Sequence, residues 1–134
     1  MVAPLSDVTL VVCGTLDVEM VRREARRAAG AIGMNLQDVE RVTLAASELA
    51  TNLVRYAHKG RIRIRTDGSP VAIELSSQDE GPGIENLVRA LEDGFTTGAG
   101  LGSGLPSVRR LMDSFEIETS PQGTLIVARK WSAA

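Results

Sequence analysis

At 134 residues, with 43% apolar and 24% charged side chains, the sequence has an ordinary globular balance, and residues 1–134 are expected to form one domain. Aromatics make up only 3%, too few for the stacking platforms of single-strand binders, and a formal net charge of -2 gives no general attraction to nucleic acid or anionic membranes. A lone cysteine excludes an internal disulfide or a cysteine metal cluster, and the lack of a basic-apolar leader or of about 20 consecutive apolar residues sets the expectation of a cytoplasmic protein.

Val8 to Cys13 is an apolar run that predicts a strand with Cys13 as a buried thiol; Gly14-Thr15-Leu16-Asp17 then supplies a turn, with Asp17 as the N-cap of a helix. In that helix Val18, Val21, Ala25, Ala28 and Ile32 recur at helical spacing, and Arg22, Arg23, Arg26 and Arg27 fall mostly on the other side. Asn35 can cap a second, longer helix, with Asp38 in its first turn and a core stripe of Val39, Val42, Ala46, Leu49, Leu53 and Tyr56. Lys59-Gly60 closes it, and His58 near its end is placed to meet the negative pole of the helix dipole.

Arg61-Ile62-Arg63-Ile64-Arg65 alternates strictly, and the turn Asp67-Gly68-Ser69-Pro70 joins it to Val71-Ala72-Ile73-Glu74-Leu75, so a hairpin is expected that runs on to Asp79. Ile84 to Glu92 allows a short helix. The segment from Gly94 to Gly104 holds five of the chain's 13 glycines and reads as a loop opening a helix at Leu105-Pro106, which would run through Phe115 with Val108, Leu111 and Met112 inward. A second hairpin turns at Ser120-Pro121-Gln122-Gly123. Paired strands with helices grouped between them predict an α+β, two-layer sandwich: one mostly antiparallel sheet covered on one face by helices.

Three places can carry chemistry. Glu48 and Asn52 are four residues apart, so they stack on the shoulder of the second helix, offering a carboxylate and an amide to one ligand. Asp79-Glu80-Gly81-Pro82-Gly83 comes directly after a strand, and its glycines permit backbone approaches that a β-carbon blocks while Asp79 can meet a ligand edge-on. Gly98 to Gly104 presents backbone N–H groups at a helix start, where partial positive charge gathers, but it is neither a P-loop nor a dinucleotide fingerprint. A solvated flank, a turn and a surface loop would account for each alone; together they form a constellation.

That constellation resembles the GHKL superfamily of ATPases and kinases, which bind ATP in the Bergerat fold. Glu48-Leu49-Ala50-Thr51-Asn52 is similar to their N-box, Asp79-Glu80-Gly81-Pro82-Gly83 to their first glycine box, and Gly100-Leu101-Gly102-Ser103-Gly104-Leu105 to their second. Over almost the whole chain the resemblance is closer to the serine protein kinases of bacterial partner-switching modules, and closest to their RsbT-type switch kinases; Tyr56-Ala57-His58-Lys59-Gly60, Glu92-Asp93-Gly94-Phe95-Thr96-Thr97, Leu111-Met112-Asp113 and Gly123-Thr124 add to it.

The resemblance implies ATP and Mg²⁺ as cofactors. Asp79 would accept a hydrogen bond from the adenine amine, with Gly81 and Gly83 admitting the base and Thr124 supporting both. Gly98, Gly100, Leu101, Gly102, Ser103, Gly104 and Leu105 would line the phosphates, Asn52 would ligate Mg²⁺, and Glu48 would be the general base for an incoming serine hydroxyl. The implied partners are a STAS-domain protein as substrate, in a stressosome-type module, and a PP2C-type phosphatase that the released kinase activates. Histidine-kinase and gyrase-like or MutL-like roles need domains or a second histidine that this sequence lacks. Direct capture of a sigma factor, or an ATP-binding interaction domain without catalysis, are the alternatives; Glu48 argues against the last.

Overall fold

A computed structural model describes residues 5–57, 59–81 and 101–132. Strand β1 (Asp7–Val12) leads into helices α1 (Thr15–Ala31) and α2 (Leu36–Asn52), and a π-helical turn over Leu53–Ala57 prolongs α2. Next in the chain is the hairpin β2 (Gly60–Gly68) and β3 (Val71–Asp79), and after it come α3 (Leu101–Leu111), β4 (Ser114–Ser120) and β5 (Gly123–Trp131). The strands make one sheet in the order β1-β2-β3-β5-β4 with every neighbouring pair antiparallel, so the expected α+β architecture is observed.

Period-two alternation decides which face the helices cover. Ile62 and Ile64 of β2 are buried opposite Ser77 and Leu75 of β3, and these in turn face Ile126 and Ala128 of β5. On the other face, Asp7, Arg65, Glu74 and Arg129 lie side by side across four strands, with signs that alternate. Glu74 accepts from Arg129 at 2.7 Å and Arg65 at 3.3 Å, while Arg63 forks onto Asp7 at 2.8 and 2.7 Å. Such half-exposed pairs add little stability, but they make the middle of this face polar.

The helical layer centres on α2, which packs against both α1 and α3. Asn35 caps it as the sequence predicts, its Oδ1 accepting from the Asp38 backbone at 2.8 Å. Val39, Val42, Ala46, Leu49 and Leu53 are buried, with Thr43, Ala45 and Ala50 widening the stripe on both sides, and Val21, Ala25, Ala28 and Ala29 of α1 meet it. Buried Lys130 ties the layers together: its Nζ lies 3.3 Å from Asp113 beyond α3 and 4.0 Å from Asp38 on α2.

Four expectations are corrected. The N-cap of α1 is Gly14; Asp17 sits in the first turn, where its Oδ2 accepts from the Cys13 amide at 3.0 Å and the Gly14 amide at 3.2 Å. Those bonds end β1 at Val12 and leave Cys13 exposed, its Sγ 3.5 Å from Asp17. Residues 101–104 are helix instead of loop, and Pro106 stands inside α3, where it forgoes the bond an N–H would give to the Gly102 carbonyl. Finally, α3 stops at Leu111, because the Asp113 amide bonds the Arg129 carbonyl at 2.8 Å and its carboxylate takes the Trp131 amide at 2.9 Å, which draws the chain into β4. Tyr56 is half-buried within the π turn; His58 and the expected helix from Ile84 to Glu92 lie outside the described residues. Among the described residues no helix is long and apolar enough to cross a membrane.

Candidate active site

At one end of the site α3 meets the shoulder of α2. Glu48 and Asn52 project there, both half-buried, and the residue set against them is Gly104. A β-carbon at Gly104 would lie 2.9 Å from Asn52 Oδ1, 3.0 Å from its Nδ2 and 3.2 Å from Glu48 Oε2. A methyl there would press on the ends of both side chains, so the glycine lets a carboxylate and an amide pack close beneath it. Asn52 Nδ2 is buried with no hydrogen-bond partner among the described residues. A buried polar atom left unpaired is costly.

At the other end, Asp79 is the last residue of β3, opposite Gly60 of β2 and Thr124 of β5, so its side chain points to the helical side of the sheet. Its Oδ1 accepts from the Gly81 amide at 2.8 Å, which fixes the carboxylate while its other oxygen can serve a ligand. Thr124 is 8% exposed, and its Oγ1 lies 2.9 Å from Thr119 Oγ1. Gly123, with φ +154°, comes so close that a β-carbon would overlap the Asp79 carbonyl oxygen. Clefts of about 370 and 470 Å³ open on the two sides of Asp79, the first floored by Ala57, Gly60 and Gly81, the second by Thr119, Gly123 and Thr124.

Helix α2 and its π turn join the two ends. Ala57 packs on the acid-glycine loop, its Cα 3.4 Å from where a β-carbon of Gly81 would stand. Leu53, at the start of the π turn, lies over β2, its Cδ2 only 2.5 Å from the corresponding point on Gly60. Thus the structure groups Glu48, Asn52 and Gly104 at one end and Asp79, Gly81 and Thr124 at the other. Leu105 is buried in the core beneath α3, and Leu101, Gly102 and Ser103 belong to its first turn; Gly83, Gly98 and Gly100 lie outside the described residues. Gly60 and Ala57 were not legible as site residues, since Lys59-Gly60 reads as a helix stop and an alanine carries no chemical signal.

A carboxylate at the end of the central strand and a carboxylate-amide pair beside a helix start, on a two-layer α+β sandwich, are the arrangement of a domain of the kinase-like ATPase class. Residues 15–130 match the family of the histidine kinase-like ATPase domain, and the chain belongs to that family. It is 42% identical over 118 residues to the serine/threonine-protein kinase RsbT of Bacillus subtilis, covering 86% of this chain and 89% of that one. It is also 30% identical over 112 residues to the anti-sigma F factor of Thermoanaerobacter sp., covering 77% of each. Among solved structures, the RsbU and RsbW domains of a Mycobacterium tuberculosis protein superpose with a TM-score of 0.69 at 18% identity, over 98% of this chain and 33% of that one, a likeness of fold. Within its family the chain is an RsbT-type, ATP-using serine/threonine-protein kinase.

Proposed function

We propose that this kinase transfers the γ-phosphate of ATP to a serine of a small STAS-domain partner in a bacterial, stressosome-type partner-switching module, and that on release it activates a PP2C-type phosphatase. The observation that carries the transfer step is the placement of Glu48 and Asn52 together under the Gly104 backbone. Glu48 is the general base that draws the proton from the serine hydroxyl as it attacks in line. Asp79, held by the Gly81 amide, accepts from the adenine amine, and Thr124 beside it supports both. Gly83, Gly98, Gly100 and the start of α3 complete the nucleotide's surroundings.

Asn52 holds Mg²⁺, which when bound supplies positive charge to the phosphate oxygens. The unpartnered amide supports this, since turning the amide over presents its oxygen at the same place. After transfer, a phosphoserine beside Glu48 and nucleotide phosphates is repelled, which gives release a physical cause.

The test is labelled ATP with Mg²⁺ and a purified STAS-domain protein. Glu48→Ala should lower the transfer rate by about 10²–10⁴-fold while leaving ATP affinity nearly unchanged. Asp79→Asn should weaken ATP binding at least tenfold, and an unchanged Kd contradicts the adenine contact. Direct capture of a sigma factor is the second reading, favoured by the 30% identity to an anti-sigma F factor. Tight sigma binding without label on the STAS serine would replace the first reading with it.

A further inference from the structure

We infer that the groove between α2 and α3 is the track along which the acceptor-serine segment of the STAS-domain substrate reaches Glu48. It selects a segment with an apolar side chain two residues from the serine and an acidic side chain farther along. The inference rests on the kinase reading above. The groove, about 250 Å³, is lined by Leu44 and Glu48 of α2 and by Ser107, Arg110 and Leu111 of α3.

Three observations carry it. First, the groove is continuous with the candidate base: Glu48 is one of its walls, while the Gly104 backbone covers the adjoining flank of the same carboxylate. A hydroxyl bound for Glu48 therefore enters from the side of Leu44. Second, Leu44 is 51% exposed, one helical turn before Glu48. Four residues of helix rise about 6 Å, and two residues of extended chain advance roughly 6.5–7 Å, so a strand-like segment with its serine at Glu48 sets a neighbouring side chain on Leu44. The other strongly exposed leucines among the described residues, Leu5, Leu16 and Leu36, line none of the clefts that hold Glu48 or Asp79. Third, the groove's wall on α3 is cationic: Arg110 is exposed, with Nη2 3.4 Å from Ser107 Oγ, and Arg109 precedes it in the last turn. Basic residues there complement the helix dipole, but Arg110 also faces the groove, where a guanidinium pairs with a carboxylate in two parallel bonds.

The experiment uses the full chain and the purified STAS-domain protein, with kinetics and photocrosslinking in parallel. Leu44→Ser and Arg110→Glu should each raise KM for the protein substrate tenfold or more with ATP affinity within twofold of wild type. Leu16→Ser, equally apolar in origin but remote from the groove, should change neither. A lysine in place of the acidic residue near the acceptor serine should recover Arg110→Glu. A benzoylphenylalanine at position 44 should crosslink to the peptide that contains the serine, whether or not phosphate is transferred. Wild-type KM in both variants, or a crosslink only elsewhere on the substrate, overturns the groove while leaving the kinase reading intact. A serine-peptide crosslink without transfer by wild type keeps the groove and removes the kinase reading.

Discussion

Gly104→Ala separates the folding role of this glycine from its role in the site. The new methyl would stand 2.9 Å from Asn52 Oδ1 and 3.2 Å from Glu48 Oε2, against an ordinary contact limit of 3.4 Å, so the Asn52 terminus must move by about half an ångström and the Glu48 terminus by about 0.2 Å, or either must turn to another rotamer. Both are ends of partly exposed side chains, and such a move costs about 0.5–1.5 kcal/mol. Against that, alanine in a helix is favoured over glycine by about 0.5–1 kcal/mol. The two nearly cancel, so Tm by calorimetry should stay within a few degrees of wild type. Catalysis has no such offset, because misplacing reacting groups on the scale of 1 Å costs about 10²-fold. Single-turnover transfer from labelled ATP should fall about 100-fold in a protein as stable as its parent. A transfer rate within threefold of wild type would refute the placement of Glu48 and Asn52 under α3.

Gly123→Ala should be severe, since its β-carbon would overlap the Asp79 backbone oxygen and φ +154° suits glycine; a loss of about 2–4 kcal/mol in urea titration is expected, with weaker ATP binding by calorimetry. Lys130→Ala removes the ammonium that joins α2 to the sheet while Asp38 keeps Arg41 at 3.0 Å, and chemical denaturation should show a loss of about 1–3 kcal/mol. Asp17 is held below the usual carboxylate range, chiefly by the Cys13 backbone amide. A depressed folded-state pKa gives stability that is present above about pH 4, the ordinary aspartate value, and is lost as pH falls through the folded value. The Tm gap between wild type and Asp17→Asn should therefore be constant from pH 7 to 5 and narrow as pH falls below about 4; a gap that does not narrow there contradicts the linkage.

Strand alternation was legible because a sheet with one polar face has a period that few other structures imitate: Arg61-Ile62-Arg63-Ile64-Arg65 assigns Ile62 and Ile64 to the buried face, and the structure has them there. The Asn35 cap was legible for the same kind of reason, a local bond made by a local residue. The start of α3 was not. Gly102, Gly104 and Pro106 each disfavour helix on propensity, and the forces that outweigh them are tertiary: Leu105 and Val108 bury fully, and Gly104 packs closely on α2. The end of α3 was hidden for a similar reason, since Asp113 is claimed by strand β5 eighteen residues away in sequence. Of the residues the structure brings together, Glu48, Asn52, Asp79, Gly81 and Gly104 stood out by type and spacing, while their packing neighbours Gly60 and Ala57 carry no functional group to notice.

The π turn then explains how one helix serves both ends. An α-helix continued past Asn52 would hold the 3.6-residue phase, whereas a π turn inserts extra backbone per turn and rotates the residues at its far end. Leu53 at its start is pressed onto β2 at Gly60, and Ala57 at its end is turned onto Gly81. Without the change of phase, the residues that set Glu48 and Asn52 against α3 would not also bring Ala57 beneath the Asp79 loop. Gly60 is what permits it, for any side chain there would strike Leu53 at 2.5 Å and the Gln78 carbonyl at 2.8 Å. The Asp79 end and the Glu48 end of the site are thus set at a fixed spacing by a helix irregularity and the strand glycine that accommodates it.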